Sequence, residues 1–177
     1  MSRVIVICGA TATGKSDIAI EVAQAIGAEI INADSMQLYR GMDIGTAKLP
    51  EDERGGIPHH LLDVLDVNED STVAWYQEQA RSSITDIHAR GKDAVIVGGT
   101  GLYIKAILDD LNFPDTDPEV RAKLEAEAEE FGSASLFTRL EELDPAAALA
   151  IDRANTRRII RALEVIEITG QPFTANL

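Results

Sequence analysis

Eight residues constrain the fold of this chain more than any others. Gly9-Ala10-Thr11-Ala12-Thr13-Gly14-Lys15-Ser16 fits the spacing G-x-x-x-x-G-K-[ST] and directly follows the apolar run Val4 to Cys8. Glycines at the two fixed positions let backbone N–H groups turn inward around phosphate oxygens. A helix opening at Lys15 points its positive dipole end at the same place. Lys15 adds a full charge for terminal phosphates. The Ser16 hydroxyl suits a magnesium ion, which takes oxygen ligands. A glycine-rich turn with a chance lysine is the plain alternative, and the strand-before, helix-after context argues against it. The pattern indicates di- or triphosphate binding without saying which compound is bound.

The rest of the first half alternates in the way such a loop requires. Val4 to Cys8 reads as a fully buried strand. Lys15 to Ile26 has helical apolar spacing at 18, 19, 22, 23 and 26. Glu29 to Asn32 reads as a second strand, and His60 to Val64 as a weaker third. Thr72 to Arg90 reads as a helix capped by Ser71 or Thr72 and closed near Gly91. Ala94 to Val97 is another buried strand, followed by Gly98-Gly99-Thr100-Gly101 and a helix from about Leu102. Strands alternating with helices predict an α/β fold, a P-loop NTPase-like parallel sheet with helices on both faces. From 113 onward the pattern is helical: Glu119 to Glu130, Ser135 to Leu143, Pro145 to Ile151 and Asn155 to Thr169. Residues 1–112 are therefore expected to form the α/β core and 113–177 a helical insertion lobe.

Composition narrows the setting. The longest apolar runs fall well short of the ~20 residues a membrane span needs, and the start of the chain does not read as a signal peptide. The single cysteine, Cys8, is expected to be a small buried residue in a protein of the reducing cytoplasm. A net charge of −14 speaks against nonspecific attraction to nucleic acid. That charge is an average: Arg153, Arg157, Arg158 and Arg161 form a local basic run with no acid between them.

Several side chains could carry chemistry at the sheet's C-terminal edge, where open parallel sheets bind ligands. An ordinary P-loop NTPase carries a carboxylate at the end of a second strand, but Asp93 to Val97 ends in glycine and threonine. Asp34, after Glu29 to Asn32, is the alternative acid. It is either a general base facing the phosphate loop or the cap of the next helical turn. Ser35, Gln37 and Arg40 add polar groups nearby. Thr100 either hydrogen-bonds a substrate amine or ring nitrogen, or caps the helix that follows. Arg153, Arg157 and Arg161, four apart, would share one helical face suited to phosphate contact if that helix extends back to 153, or would pair with acids elsewhere. Ile159, Ile160, Leu163 and Ile166 form that helix's apolar stripe. His59 and His60 point to opposite faces of a strand and read as structural. Trp75 and Tyr76 read as core or interface.

Taken in order, six runs resemble one family. They are the Gly9–Ser16 loop, Asn32-Ala33-Asp34-Ser35-Met36-Gln37-Leu38-Tyr39-Arg40, Asp43 to Lys48, His59 to Asp63, Gly98 to Tyr103 and Arg157 to Glu164. Together they are similar to bacterial tRNA dimethylallyltransferases, also called tRNA isopentenyltransferases. The resemblance implies transfer of the dimethylallyl group of dimethylallyl diphosphate to the exocyclic N6 amine of the adenosine 3′ of the anticodon in tRNA. Gly9, Ala10, Thr11, Ala12, Thr13, Gly14, Lys15 and Ser16 would hold the leaving diphosphate, and Ser16 a Mg2+ ion. Lys15, Asp34 and Thr100 would be catalytic, with Asp34 the base. Asp34, Ser35, Met36, Gln37, Thr100, Arg121, Arg157, Arg158, Ile159, Ile160 and Arg161 would touch tRNA. The chain would be a cytoplasmic monomer. Ala10 stands where the family usually has proline, and Ser16 where it often has threonine. Family members are usually longer, and the segment that returns to the core is expected to be missing, so the chain reads as a fragment whose own activity is in doubt. A kinase, a prenyltransferase acting on a free adenine nucleotide, and a non-catalytic binding module are the competing readings.

Overall fold

The computed structural model describes residues 2–10, 13–109, 111 and 113–176. It divides into two compact units, 1–110 and 111–177.

The first unit is built on four parallel strands, β1 (Val4–Cys8), β2 (Glu29–Asn32), β3 (His59–His60) and β4 (Ala94–Gly98), in the order β1-β4-β2-β3. Alternate side chains explain the layers. Ile5, Ile7, Ile30, Val95 and Val97 pack with Ala19, Ile20, Val22 and Ala23 of α1 (Lys15–Ile26). Val6, Ile31, Ala94 and Ile96 face the other way, toward Tyr76, Ala80 and Ile87 of α2 (Val73–Ala89) and Tyr103 and Ile107 of α3 (Gly101–Leu108). The Thr72 hydroxyl starts α2 by accepting the Trp75 N–H at 3.1 Å. Tyr76 stacks on Tyr103 with ring centroids 3.8 Å apart, joining α2 to α3. The unit is thus an α/β parallel sheet with helices on both faces.

Two readings of the sequence change here. β1 lies at the end of the strand order, so Val4 and Cys8 are exposed rather than buried. β3 is limited to His59–His60, because Leu61 and Asp63 take positive φ angles of 57° and 56°, which a strand cannot continue through. His60 Nε2 lies 2.8 Å from Glu29 Oε2, and His59 Nδ1 lies 2.8 Å from the Ile57 carbonyl, so both rings are structural. Arg90 and Lys92 also bond the buried Glu29 carboxylate, at 2.6 and 3.0 Å. Burial alone would raise its pKa; the hydrogen bonds from His60, Lys92 and Arg90 outweigh this and hold it at about 2.

Among its described residues the second unit holds four α-helices, α4 (Pro118–Phe131), α5 (Ser133–Leu143), α6 (Pro145–Ala150) and α7 (Thr156–Thr169), followed by a short 3-10 turn, Phe173–Asn176. Three start at side-chain caps. Asp117, Asp144 and Asn155 each accept an N–H from the first turn of α4, α6 and α7. Leu124, Leu136, Phe137, Leu140, Ala147, Ile159, Ala162 and Leu163 form their common core. Within it, Glu164 is fully buried.

Candidate functional site

The phosphate-loop pattern lies where β1 turns into α1. Gly14 occupies the N-cap of α1 in the left-handed region, φ 75°, a conformation that costs a residue with a Cβ ~1–2 kcal/mol. Among the described residues no side chain caps α1, so the first N–H groups of the helix are placed to meet an anion. The Thr13 hydroxyl donates to the Ala10 carbonyl at 2.8 Å, and the Lys15 ammonium donates to the same carbonyl, folding the lysine over the loop. Ser16 follows in the first turn of α1. Thr11 and Ala12, also assigned to diphosphate, lie outside the described residues.

Sheet register aligns this loop with Asp34. Cys8 pairs with Gly98, and the Ala33 N–H reaches the Val97 carbonyl at 2.7 Å. The next residues outward are Gly9, Gly99 and Asp34. Two strand spacings separate the first from the last, about 10 Å. Gly98, the last residue of β4, is needed for this closeness: a Cβ there would lie 2.2 Å from the Ala33 carbonyl carbon, whereas one on Gly99 would make ordinary contact, 3.5 Å from the Gly9 oxygen.

Asp34 is held on several sides. Its N–H donates to the Asn32 Oδ1 at 3.0 Å, and its carbonyl accepts from Asn32 Nδ2 at 2.9 Å. Its Oδ1 accepts the Met36 N–H at 2.9 Å. Among the described residues its Oδ2 takes no hydrogen bond. One oxygen of Asp34 thus stabilises the turn, and the other is without a hydrogen bond among the described residues. Thr100 is the N-cap residue of α3, yet its hydroxyl does not cap the helix. It accepts the Ser35 N–H at 3.1 Å, while its own N–H donates to Ala33. Tyr103 sits beneath this junction. Burial pushes its phenol up, a Ser71 hydrogen bond works against this, and the Tyr39 and Asp34 charges reinforce it.

Sequence reasoning missed what braces the segment after Asp34. Lys48 has a side chain only 2% exposed. Its ammonium donates to the Tyr39 carbonyl at 2.7 Å, Asp43 at 2.7 Å and Asp63 at 2.6 Å. Gln37 in turn donates to the Thr46 carbonyl at 2.8 Å and accepts the Asp63 N–H at 3.2 Å. The signal was present as a lysine flanked by Asp43 and Asp63 in two of the matching runs, but only the fold shows that they converge.

The arginine face differs from the sequence reading. Asn155 caps α7, so the helix starts at Thr156 and Arg153 lies in the turn before it. Arg153 pairs with Glu141 at 2.7 Å and covers the Phe137 ring at 4.6 Å. Arg121 and Arg161 both bind the buried Glu164 carboxylate, at 2.7 and 2.8 Å, and Arg161 also reaches the Pro114 and Asp115 carbonyls. Ile159 and Ile160 are core residues, so neither side chain is presented to a ligand. Arg157 and Arg158 remain exposed at the start of α7.

Among the described residues no cluster of three or more His, Cys, Asp or Glu side chains could hold a metal ion, and no helix is long and apolar enough to cross a membrane.

A parallel sheet carrying this loop and helices on both faces defines a P-loop α/β protein. The family model described as IPP transferase matches residues 37–177, and the chain belongs to that family. It is 60% identical to a tRNA dimethylallyltransferase of Thermobifida fusca, matching all of this chain and 57% of that protein. It is 61% identical to one of Streptomyces griseus, over 99% and 56%. The chain thus spans about half the length of these curated relatives. Among solved structures, it is similar to a full-length tRNA isopentenylpyrophosphate transferase of Bacillus halodurans, with TM-score 0.62, 44% identity, and coverage of 97% and 57%. A eukaryotic dimethylallyltransferase acting on tRNA matches with TM-score 0.84, 32% identity, and coverage of 99% and 44%.

Proposed function

We propose that this chain supplies the diphosphate-holding and base-bearing part of an enzyme that prenylates tRNA. The donor is dimethylallyl diphosphate and the acceptor is the N6 amine of the adenosine 3′ of the anticodon. The observation that carries this reading is the open Oδ2 of Asp34, about two strand spacings from the start of the phosphate loop. A small allylic diphosphate spans that interval, so departure and attack share one crevice. Attack forms the bond from N6 to the allylic carbon and breaks that carbon's bond to the diphosphate oxygen. The amine proton passes to Asp34 Oδ2. Diphosphate leaves on the α1 amides and Lys15, whose fixed charge stabilises the oxygen as it becomes anionic.

Ser16 offers a hard oxygen of the kind magnesium takes, and at phosphate sites that ion needs only one or two protein oxygens. The donor set therefore fits Mg2+, which when bound would neutralise charge on the leaving group. Thr100, with Ser35, Met36 and Gln37, would line the adenine's approach once that base is taken out of its stack. Arg157 and Arg158 would meet tRNA phosphates. Arg121 and Arg161 would contribute through the net positive charge of their trio with Glu164. The reading includes a cytoplasmic, monomeric enzyme.

The test uses the complete polypeptide that carries this chain, labelled dimethylallyl diphosphate, and either unmodified tRNA or AMP, with labelled ATP in parallel. Label entering tRNA is the expected result. Label entering AMP instead points to a free-nucleotide prenyltransferase, phosphoryl transfer from ATP points to a kinase, and either outcome overturns the proposal.

A further inference from the structure

One buried polar side chain near the crevice, Asn32, the last residue of β2, has no role in the chemistry proposed above. It is 2% exposed. Its amide makes three hydrogen bonds: Oδ1 accepts the Asp34 N–H at 3.0 Å, and Nδ2 donates to the Asp34 carbonyl at 2.9 Å and the Leu61 carbonyl at 2.8 Å. The network fixes the amide's orientation, because a flipped amide would aim its oxygen at two carbonyls. One short side chain thus grips both backbone polar groups of Asp34. The grip is itself anchored. The Tyr76 hydroxyl donates to the Asn32 carbonyl at 2.8 Å, and Tyr76 is fully buried against Tyr103. Leu61 offers its carbonyl from a left-handed conformation, φ 57°, which a non-glycine residue seldom adopts.

We propose that Asn32 is a positioning residue for the Asp34 carboxylate, acting through the peptide units on either side of it. This rests on Asp34 being the base. The Asn32 amide fixes the Asp34 backbone, and with Oδ1 already tied to the Met36 N–H this leaves a single direction for Oδ2. Loosening the amide lets the base rotate away, and a displacement on the order of 1 Å at a reacting group lowers turnover on the order of 100-fold. The phosphate loop hangs from β1 and α1, so diphosphate binding is unaffected.

A double-mutant cycle on the complete polypeptide tests this. Asn32→Asp has nearly the same size and keeps the acceptor for the Asp34 N–H, but it loses both donors. Asp34→Asn removes the base. Inorganic pyrophosphate binding reports that each variant is folded. Asn32→Asp is expected to lower kcat on the order of 100-fold with KM for dimethylallyl diphosphate unchanged. The double variant is expected to be no slower than Asp34→Asn alone, since residues acting as a unit are not additive. Additive losses, or a rise in KM at constant kcat, would overturn the inference alone. Parental transfer by Asp34→Asn would overturn the functional reading and this inference with it. If Asn32→Asp fails to bind pyrophosphate, the same cycle is run with Asn32→Ser, whose hydroxyl also lacks the two-donor amide.

Discussion

The phosphate loop and the arginine face are both cationic on paper, but the structure builds them on opposite principles. At the loop the backbone does the work: a left-handed Gly14, N–H groups at the start of α1 left uncapped among the described residues, and strand ends drawn together at Gly98. On the second unit the charge belongs to side chains, and most of it is engaged internally. Arg121 and Arg161 hold the buried Glu164 and Arg153 pairs with Glu141, while Arg157 and Arg158 face solvent. Burial would raise the Glu164 pKa; the two guanidiniums overcome it and hold the carboxylate below its usual range. A site made from backbone is specified by residue spacing, whereas a site made from side chains depends on which neighbours claim them.

Breaking each region should therefore look different. The largest effect is expected from Asp34→Asn: transfer to tRNA falls roughly 100- to 10,000-fold, while inorganic pyrophosphate binding, measured by calorimetry, stays at the parental level. Next is Gly98→Ala, whose methyl group would collide with the Ala33 backbone. It should destabilise the first unit by about 3 kcal/mol, seen as a lower urea midpoint. In the second unit, Glu164→Gln should cost about 2 kcal/mol. That is below the usual figure for a buried pair because both arginines are partly exposed.

A smaller effect concerns acid. The Glu29 pKa is depressed, so its contribution is fully present above its unfolded value near 4.5 and is lost as pH falls toward about 2. Glu29→Gln should flatten the urea midpoint's pH dependence across that window, and an unchanged slope would show that the cluster does not stabilise the fold. The smallest effect sharpens the comparison itself. Arg157→Ala or Arg158→Ala should each reduce the salt slope of tRNA binding by roughly 0.7–0.9. Arg121→Ala should instead lower the unfolding midpoint and change the slope less.

This contrast also explains what could be read from the residues alone. The strand, loop and helix from Val4 to Ile26 were legible because backbone geometry demands glycines and a lysine at fixed spacing. The helix starts at 118, 145 and 156 were legible to within a residue from the helical pattern, and the structure shows Asp117, Asp144 and Asn155 as their caps. The exposure of Cys8 was not, because an apolar run looks the same at the end of a sheet as in its middle. Arg153 would share the face of α7 only if that helix reached back to it, and Asn155 caps the helix two residues later. The Lys48–Asp63 and Arg121–Glu164 bonds were hidden because each joins residues distant in sequence, and only the fold brings them together. For Asp34 the spacing gave its place at the end of β2, while the division of labour between its two oxygens needed the structure.

The central claim is that the leaving diphosphate and the open oxygen of Asp34 occupy one crevice. A crystal structure of the complete polypeptide with inorganic pyrophosphate and magnesium tests it most directly. The account predicts the anion on the N–H groups of residues 13 to 16 and Lys15, with Asp34 Oδ2 facing it across about 10 Å of open space. An anion seated elsewhere, or packed side chains filling the gap between it and Asp34, would contradict it.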